Sequence, residues 1–161
     1  MRAVLTSTLL ASLAACGFTW RGSASLPAPS VALRAPLQAA VALALRARLI
    51  QLTRVVAADS TDPRPALVID WLDEKHERIV VGTNSAGQVR ELELRTRIRF
   101  AVRDAQGETV LPATELEQRR DLSYSEAAAL AKETEEALLR RDMEHELVQQ
   151  VLQRLQALRP R

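Results

Sequence analysis

The residue whose type and position best suit chemistry is Cys16, the only cysteine in the chain. It directly follows residues 3–15, an apolar run that is interrupted only by Thr6, Ser7, Thr8 and Ser12. A thiol is a nucleophile that can carry a covalent group. Because Cys16 is alone, it can form neither a disulfide within the chain nor a zinc site of several thiolates. Its position therefore points to covalent modification of the sulfur.

The residues before this cysteine resemble a bacterial lipobox, which consists of Leu13, Ala14, Ala15 and Cys16. The apolar run is too short to cross a bilayer as a helix, which takes about 20 residues. Together with the positive charge of Arg2, it fits a signal peptide. The pattern predicts cleavage before Cys16, diacylglycerol on the sulfur, and a fatty acid such as palmitate on the freed amine. The alternative is a plain secretory signal that happens to contain a cysteine.

The same pattern sets the expected division of the chain. Residues 1–15 are predicted to be the lipoprotein signal peptide, and residues 16–30 the lipidated N-terminus and a flexible tether. Residues 31–159 then form a single domain, which a length of 161 residues allows. Gly17 follows the cysteine, whereas an aspartate there typically retains Gram-negative lipoproteins in the inner membrane. We therefore expect a lipid-anchored protein of the outer membrane, on its periplasmic side or inside a barrel lumen.

No other residues in the sequence have the types and spacing of an active site. His76 and His145 are the only histidines, and they cannot form the i, i+4 pair of a helical metal site. The chain lacks a Walker loop, a G-x-S-x-G motif and a G-x-G-x-x-G motif. The remaining candidates fit helix starts or exposed helix faces: Ser123, Ser125, Glu133, Glu135 and Glu136. We predict a protein that is not an enzyme and has no metal or cofactor besides the covalent lipid.

The overall charge argues against nucleic acid as a partner. Lysine and arginine total 22 and acidic residues total 20, so the net charge is only +2 although the pI is 9.2. Arg95, Arg97 and Arg99 nevertheless share one side of a predicted strand. Two interpretations are open: a solvated face with cross-strand ion pairs, or a surface that faces an anion or a partner. Arginine suits phosphate because its planar guanidinium contacts two oxygens at once.

The spacing of apolar residues predicts the helices and strands that must position these residues. Apolar residues at helical intervals predict a helix over about 36–52, with Pro36 in its first turn. Apolar residues in alternation predict that Leu92, Leu94, Ile98 and Phe100 face the helices, while the three arginines face away. Other predicted strands are 31–33, 55–56, 67–71, 79–81 and 114–122, with turns at 83–87 and 104–108. The charged segment 73–78 is either a bend or an exposed part of one long strand.

The final segment predicts a long helix. Residues 125–158 contain no glycine or proline, and Ser123-x-x-Glu126 fits a capping box at the helix start. Two amphipathic helices and a half-polar sheet predict an α+β fold. The expected architecture is a two-layer domain, with the two helices packed on a mostly antiparallel sheet of about four strands.

Several stretches resemble, in order, the LptE family of lipopolysaccharide-assembly lipoproteins, also called RlpB. They are Cys16-Gly17-Phe18-x-x-Arg21-Gly22, Gly87-Gln88-x-x-Glu91, Arg120-Asp121-x-Ser123-Tyr124, Leu130-Ala131-Lys132-Glu133 and Arg141-Asp142-Met143. The resemblance implies two helices on a sheet of about four strands. It also implies a plug inside the LptD β-barrel of the outer membrane, which helps the barrel to assemble and to deliver lipopolysaccharide to the cell surface.

The resemblance further implies direct lipopolysaccharide binding through basic residues near a strand turn and in the Leu-Ala-Lys motif. The second position is Lys132. No basic residue occurs in 83–87, where the first is expected, and Arg90 is the nearest candidate. Two other classes of function remain open. One is an unrelated outer-membrane lipoprotein that scaffolds another envelope complex, and the other is a lipid-anchored periplasmic enzyme.

Overall fold

The computed structural model describes residues 26–158, in which two helices pack on one face of a five-stranded sheet. The elements are β1 (Ser30–Arg34), α1 (Ala40–Leu52), β2 (Arg54–Val55), β3 (Leu67–Thr83), β4 (Val89–Asp104), β5 (Thr109–Ser123), a 3-10 turn (Glu126–Ala128) and α2 (Ala129–Ala157). The sheet has the order β2-β1-β3-β4-β5. β1 is parallel to β2 and β3, and β3, β4 and β5 form an antiparallel meander. The predicted two-layer α+β class is confirmed.

Two tight turns join the three long strands where the sequence predicts them. In the β3–β4 turn, the Asn84 carboxamide oxygen accepts two backbone N–H groups at 3.0 and 2.9 Å. The Asp104 carboxylate does the same in the β4–β5 turn, also at 3.0 and 2.9 Å. Gly87 and Gly107 adopt φ of 78° and 89°, a region that glycine enters without a steric penalty. The side-chain bonds and the glycines together fix both turns.

The alternation along β4 places the core as predicted. Its inward side chains are buried against the helices, and Arg95, Arg97 and Arg99 lie on the opposite face. The buried side chains of β4 are Leu92, Leu94, Thr96, Ile98, Phe100 and Val102. α2 contributes a matching stripe that consists of Met143, Leu147, Val148, Val151, Leu152 and Leu155. The sheet is therefore apolar on the helix side and charged on the other.

The charged segment 73–78 is the middle of β3 and not a bend, because its backbone pairs with β4 throughout. A register shift between Trp71 and Asp73 marks a β-bulge. A bulge adds one residue and so exchanges the faces of everything that follows it. Before the bulge, Trp71 is opposite the inward Phe100, and after it Glu74 is opposite the inward Ile98. The second half of β3 therefore directs polar side chains toward the helices.

Helix α1 begins at Ala40 and not at Pro36 as predicted. Pro36 lies in a preceding turn, in which the Ala39 N–H donates to the Pro36 carbonyl at 3.2 Å. Ala39 is extended, with φ of −74° and ψ of 100°, and its side chain cannot cap the helix. The cap comes from the sheet instead. The Glu74 carboxylate accepts the backbone N–H groups of Val41 at 3.0 Å and Ala42 at 3.4 Å.

Glu74 is also the centre of a polar network under α1, where only 5% of its side chain is exposed. Its carboxylate accepts the indole N–H of Trp71 at 3.0 Å and lies 3.0 Å from His76 Nε2. The other imidazole nitrogen of His76 lies 3.1 Å from the hydroxyl of the buried Thr96. All four side chains are satisfied when His76 donates from Nε2 and accepts at Nδ1. The network ties the start of α1 to the middle of the sheet.

The predicted capping box at Ser123 is wrong. Ser123 is the last residue of β5, where it pairs with Glu91 of β4. The final helix begins at Ala129, and its N-cap, Ala128, makes no side-chain capping bond. The strand therefore uses the backbone of Ser123, which leaves its hydroxyl free for another partner.

The described part of the chain has two distinct ends. At one, which we call the entry end, residues 27–29 meet the β4–β5 turn, the start of β3 and Leu158. Leu26 and Ala28 are already buried there, so the core begins before the predicted domain boundary at residue 31. At the other, which we call the hairpin end, the end of the β3–β4 turn lies beside residues 125–127, which lead into α2. β4 connects them and spans about 50 Å at roughly 3.3 Å per residue.

Candidate functional site

The predicted lipidation site lies outside the described residues. This applies to Cys16 and to the rest of the lipobox, Leu13, Ala14 and Ala15. The two candidate residues for lipopolysaccharide, Lys132 and Arg90, are both described. Within residues 26–158, no group of three or more metal-ligating side chains is placed to hold a metal ion. Over the same range, no helix combines the length and apolar character that crossing a membrane requires.

The strand pairing brings Arg90 and Lys132 to the same place, the hairpin end. The Arg90 carbonyl accepts the Tyr124 N–H at 2.7 Å, next to the pairing of Glu91 with Ser123. Lys132, the fourth residue of α2, donates from Nζ to the Ser123 hydroxyl at 2.9 Å. The two candidates, 42 positions apart in the sequence, therefore flank one strand-to-helix junction.

Lys132 is already held by the protein. Only 20% of its side chain is exposed, and its ammonium lies 2.7 Å from the Glu135 carboxylate at i+3. Glu136 at i+4, the partner that helical spacing also offers, instead lies 2.7 Å from Arg140. The ammonium is thus fixed in position between Ser123 and Glu135, at the first turn of α2. The guanidinium of Arg90 is exposed and contacts the Gln88 carboxamide at 3.3 Å.

A further cation joins this site, which sequence reasoning missed. Arg78 follows the β-bulge of β3 and is paired with the inward Leu94. Its guanidinium carbon lies 5.3 Å from the centre of the Tyr124 ring, within the range of a cation–π contact. Its Nε also lies 3.6 Å from Glu136 of α2. The only sequence signal was its place in the charged segment, and the bulge that turns it inward leaves no pattern there.

These residues form what we call the hairpin-end cluster: Arg78, Arg90, Tyr124 and Lys132. A shallow groove beside it is lined by Gln88, Val89, Arg90, Ser125 and Ala127. Three cations at one strand-to-helix junction can contact an anion, and the two arginines can each offer two N–H groups to a phosphate. The carboxylates of Glu135 and Glu136 limit the net positive charge, so an anion would have to compete with them.

The outer face of the sheet carries a second group of charges. Arg95 lies 2.7 Å from Glu93 and 4.0 Å from both Glu77 and Glu117. The hydrogen bond to Glu93 raises the pKa of Arg95, and the attraction of the three carboxylates outweighs the opposing effect of burial. Among the described residues, no carboxylate lies within 4.0 Å of Arg97 or Arg99. Ion pairs within β4 and across to β3 and β5 thus account for one of the three arginines, and two remain available to a partner.

Comparisons with known proteins agree on one family. The family model LptE, described as lipopolysaccharide-assembly, matches residues 24–155 of the chain. A search of curated proteins finds no match.

Among solved structures, an uncharacterised lipoprotein B from Nitrosomonas europaea is 29% identical, with a TM-score of 0.73. The match covers 88% of this chain and 91% of that one. The rare lipoprotein B from Shewanella oneidensis is 25% identical over 78% of this chain and 92% of that one, with a TM-score of 0.65. A minor lipoprotein from Acinetobacter baumannii, 21% identical over 80% of this chain and 91% of that one, has a TM-score of 0.63 and shows the shared fold alone.

Proposed function

Because the chain belongs to the LptE family of lipopolysaccharide-assembly lipoproteins, we propose that it plugs an LptD-type β-barrel of the outer membrane. In this role it helps the barrel to assemble and takes part in the transport of lipopolysaccharide to the cell surface. The observation that carries the proposal is the family match, which covers residues 24–155 and therefore almost the whole described domain. The protein acts by binding and not by catalysis, and it uses no cofactor besides the covalent lipid.

The separation of the two ends of the molecule supports this role. A lipid on Cys16 would hold the entry end near the inner leaflet, because Leu26 is only ten positions after Cys16. The hairpin-end cluster lies about 50 Å away along β4. A bilayer is about 40–45 Å thick with its headgroups. A domain aligned with the barrel axis would therefore present the cluster near the opposite leaflet.

The outer face of the sheet fits the lumen of a barrel. Large outer-membrane barrels have polar interiors, and the unpaired Arg97 and Arg99 lie on a face that the helices leave uncovered. Such a surface can form ion pairs and hydrogen bonds with polar lumen residues, while its buried opposite side keeps the domain folded. Both interpretations of the three arginines thus contribute: Arg95 is paired internally, and the other two are available to the barrel.

The barrel role predicts that a large outer-membrane β-barrel copurifies with the tagged protein from outer membranes in mild detergent. The bound proteins are identified by mass spectrometry, with an untagged strain as the control for non-specific capture. Recovery of another envelope complex without a barrel would contradict the plug role and support the scaffold alternative.

The proposed lipobox processing predicts that Cys16 is the mature N-terminus and carries the lipid. Mass spectrometry of the protein from native membranes should show the acylated residue. Cys16→Ala should release the protein from the membrane, because stable anchoring requires the acyl chains. The domain should stay folded, because the helices and strands of the described core all lie beyond residue 25. An intact Met1, or an unmodified Cys16 in native membranes, would contradict the prediction.

The position of the cations in the hairpin-end cluster predicts that they bind the phosphates of lipid A. Lys132→Asp should weaken the binding of lipopolysaccharide to the mature protein by roughly 10- to 100-fold, since a hydrogen bond to a charged group contributes about 1.5–3 kcal/mol. The double variant Arg90→Asp/Lys132→Asp should weaken it further. Binding is measured against the wild type, with circular dichroism to confirm folding.

Lys75→Asp provides a matched control for these variants. Lys75 is an exposed lysine in the middle of β3, and it pairs with Asp73 at 3.6 Å, far from the hairpin end. It undergoes the same charge change and should bind as the wild type does. Equal binding by all folded variants would remove Lys132 and Arg90 from the site while leaving the barrel role intact.

A further inference from the structure

A polar pocket lies at the entry end of the molecule, away from the hairpin-end cluster. The loop that joins β2 to β3 and the β4–β5 turn border a cavity of about 290 Å³ there. Val68 lies on the outer face of β3, since it alternates with the buried Leu67 and Ile69, and it lines the cavity. The polar lining includes Arg34, Asp59, Ser60, Thr61, Arg64 and Arg103. We call this cavity the entry pocket.

Asp70 of β3 holds two of these arginines in place. It lies between Arg34 of β1, its register partner, and Arg103 of β4. The Asp70 carboxylate accepts a hydrogen bond from Nη1 of Arg34 at 2.9 Å. It also accepts hydrogen bonds from Nε and Nη2 of Arg103 at 2.7 and 3.0 Å. Because these bonds restrict both guanidiniums, a ligand that contacts them loses less side-chain entropy on binding.

The arginines of the entry pocket keep donors for a ligand. Nη2 of Arg34 and Nη1 of Arg103 donate to no group within residues 26–158. Arg64 is exposed on the loop between β2 and β3, and no carboxylate in the same range lies within 4.0 Å of it. The hydroxyls of Ser60 and Thr61 can donate as well. The entry pocket is therefore lined by N–H and O–H donors that the described domain leaves without acceptors.

The acidic residues of the pocket discriminate among anions. The Asp104 carboxylate is held in its turn by two backbone N–H groups, and Asp59 is exposed. With Asp70 they equal the three arginines in number, so an anion with a single charge gains little attraction. A phosphate monoester carries about −1.5 to −2 charges at pH 7 and three acceptor oxygens, and arginine contacts two oxygens at once. The Asp59 carboxylate can accept hydrogen bonds from hydroxyl groups, which a sugar supplies.

We propose that the entry pocket binds a phosphorylated sugar, with the phosphate on Arg34, Arg64 and Arg103 and the sugar hydroxyls on Asp59. The site goes beyond the proposed function and does not depend on the barrel role. Ligand pockets measure about 300–1,000 Å³, so the entry pocket suits one small polar headgroup. Two sources offer this chemistry: a soluble sugar phosphate and the phosphorylated headgroup of lipopolysaccharide. Either ligand enters from water, so the site requires no contact with the bilayer.

The test uses the full protein, purified from membranes in detergent micelles and labelled with ¹⁵N only at glycine. The chain has five glycines, so few NMR signals result. Gly107 lines the entry pocket. Gly87 is the matched reporter at the hairpin end, because both glycines have a positive φ, 89° and 78°, in turns of the same kind. The probes are glucose 1-phosphate, inorganic phosphate and glucose, and each is titrated while both signals are followed.

We expect glucose 1-phosphate to shift the Gly107 signal to saturation, inorganic phosphate to bind more weakly, and glucose to cause no shift. Arg64→Gln should weaken the binding of glucose 1-phosphate by about 10- to 100-fold, because it removes hydrogen bonds to a charged group. Arg46→Gln is the control, since Arg46 of α1 is also exposed and lies outside the pocket. Lys132→Asp should leave the Gly107 response unchanged. Circular dichroism confirms that each variant is folded.

Lipopolysaccharide and its dephosphorylated form, in the same micelles, distinguish the two sources. A shift of Gly107 that dephosphorylation abolishes assigns the pocket to the lipopolysaccharide headgroup. A shift with glucose 1-phosphate alone assigns it to a soluble sugar phosphate, and both results support the proposal. It is overturned if no phosphate probe shifts Gly107, if glucose shifts it equally, or if Arg64→Gln binds as tightly as the wild type. A Gly107 response that Lys132→Asp abolishes also overturns it, since that response belongs to the hairpin-end cluster.

Discussion

Phe100→Ala is expected to lower the free energy of unfolding by about 3–5 kcal/mol, the usual cost of removing a large aromatic side chain from a core. Phe100 is fully buried, with 0% of its surface exposed. It lies opposite Trp71 on the neighbouring strand, and the two rings are stacked with their centres 6.1 Å apart. The substitution would therefore leave a cavity between the sheet and the helices and remove the stacking. Urea denaturation of the folded protein measures the effect.

Arg99→Ala is the control for this substitution. Arg99 is adjacent in sequence, but it lies on the exposed face of β4, and a surface change of this kind usually alters stability by no more than about 0.5 kcal/mol. A loss below about 1 kcal/mol for Phe100→Ala would mean that the register is wrong, because a slip of one residue exchanges the two faces of a strand.

The register of β4 could be predicted because its pattern is local. Apolar and charged residues alternate along most of one strand, with Thr96 and Ala101 as the exceptions, and the turns at both ends carry their own signals, Asn84 with Gly87 and Asp104 with Gly107. Each of these signals is contained within a few neighbouring residues of the sequence. The class of fold follows from such local patterns, and the structure confirms it.

The features that the sequence did not predict depend on distant contacts. The capping box at Ser123 fits the local rule, but the pairing of Ser123 with Glu91 extends β5 through that residue and moves the helix start to Ala129. The β-bulge at Leu72 directs Arg78 toward the helices, so it joins the hairpin-end cluster although its sequence neighbours suggest a solvated stretch. Strand pairing decides both features, and neither strand shows its partner in the sequence.

Glu74→Ala is expected to destabilise the protein by about 3 kcal/mol. The carboxylate accepts the first free N–H groups of α1 and the indole N–H of Trp71. Its removal leaves these donors without their acceptor in a largely buried place, which costs about 1–3 kcal/mol for each buried group that finds no other partner. The negative charge also interacts favourably with the N-terminus of the helix. α1 has no cap of its own, so Glu74 is the residue that fixes where it begins.

The pH dependence of stability isolates the charge of this carboxylate. Burial raises the pKa of Glu74. Its hydrogen bonds with His76 and with the N–H groups of Val41 and Ala42 lower the pKa, and so does the charge of His76. These lowering effects together outweigh burial. The pKa in the folded protein therefore lies below the ordinary value of 4.5. A pKa that is lower in the folded than in the unfolded state means that ionised Glu74 stabilises the fold above the unfolded pKa. This contribution is lost as the pH falls through the folded pKa.

Glu74→Gln should therefore be less stable than the wild type at neutral pH by about 2 kcal/mol, since hydrogen bonds to charged groups are the stronger ones. The difference should shrink as the pH falls below 4.5. Urea denaturation across this pH range measures both proteins. Glu133→Gln, at an exposed position of α2, should match the wild type at neutral pH within about 0.5 kcal/mol. A constant difference between Glu74→Gln and the wild type at every pH would show that shape, and not charge, explains the role of Glu74.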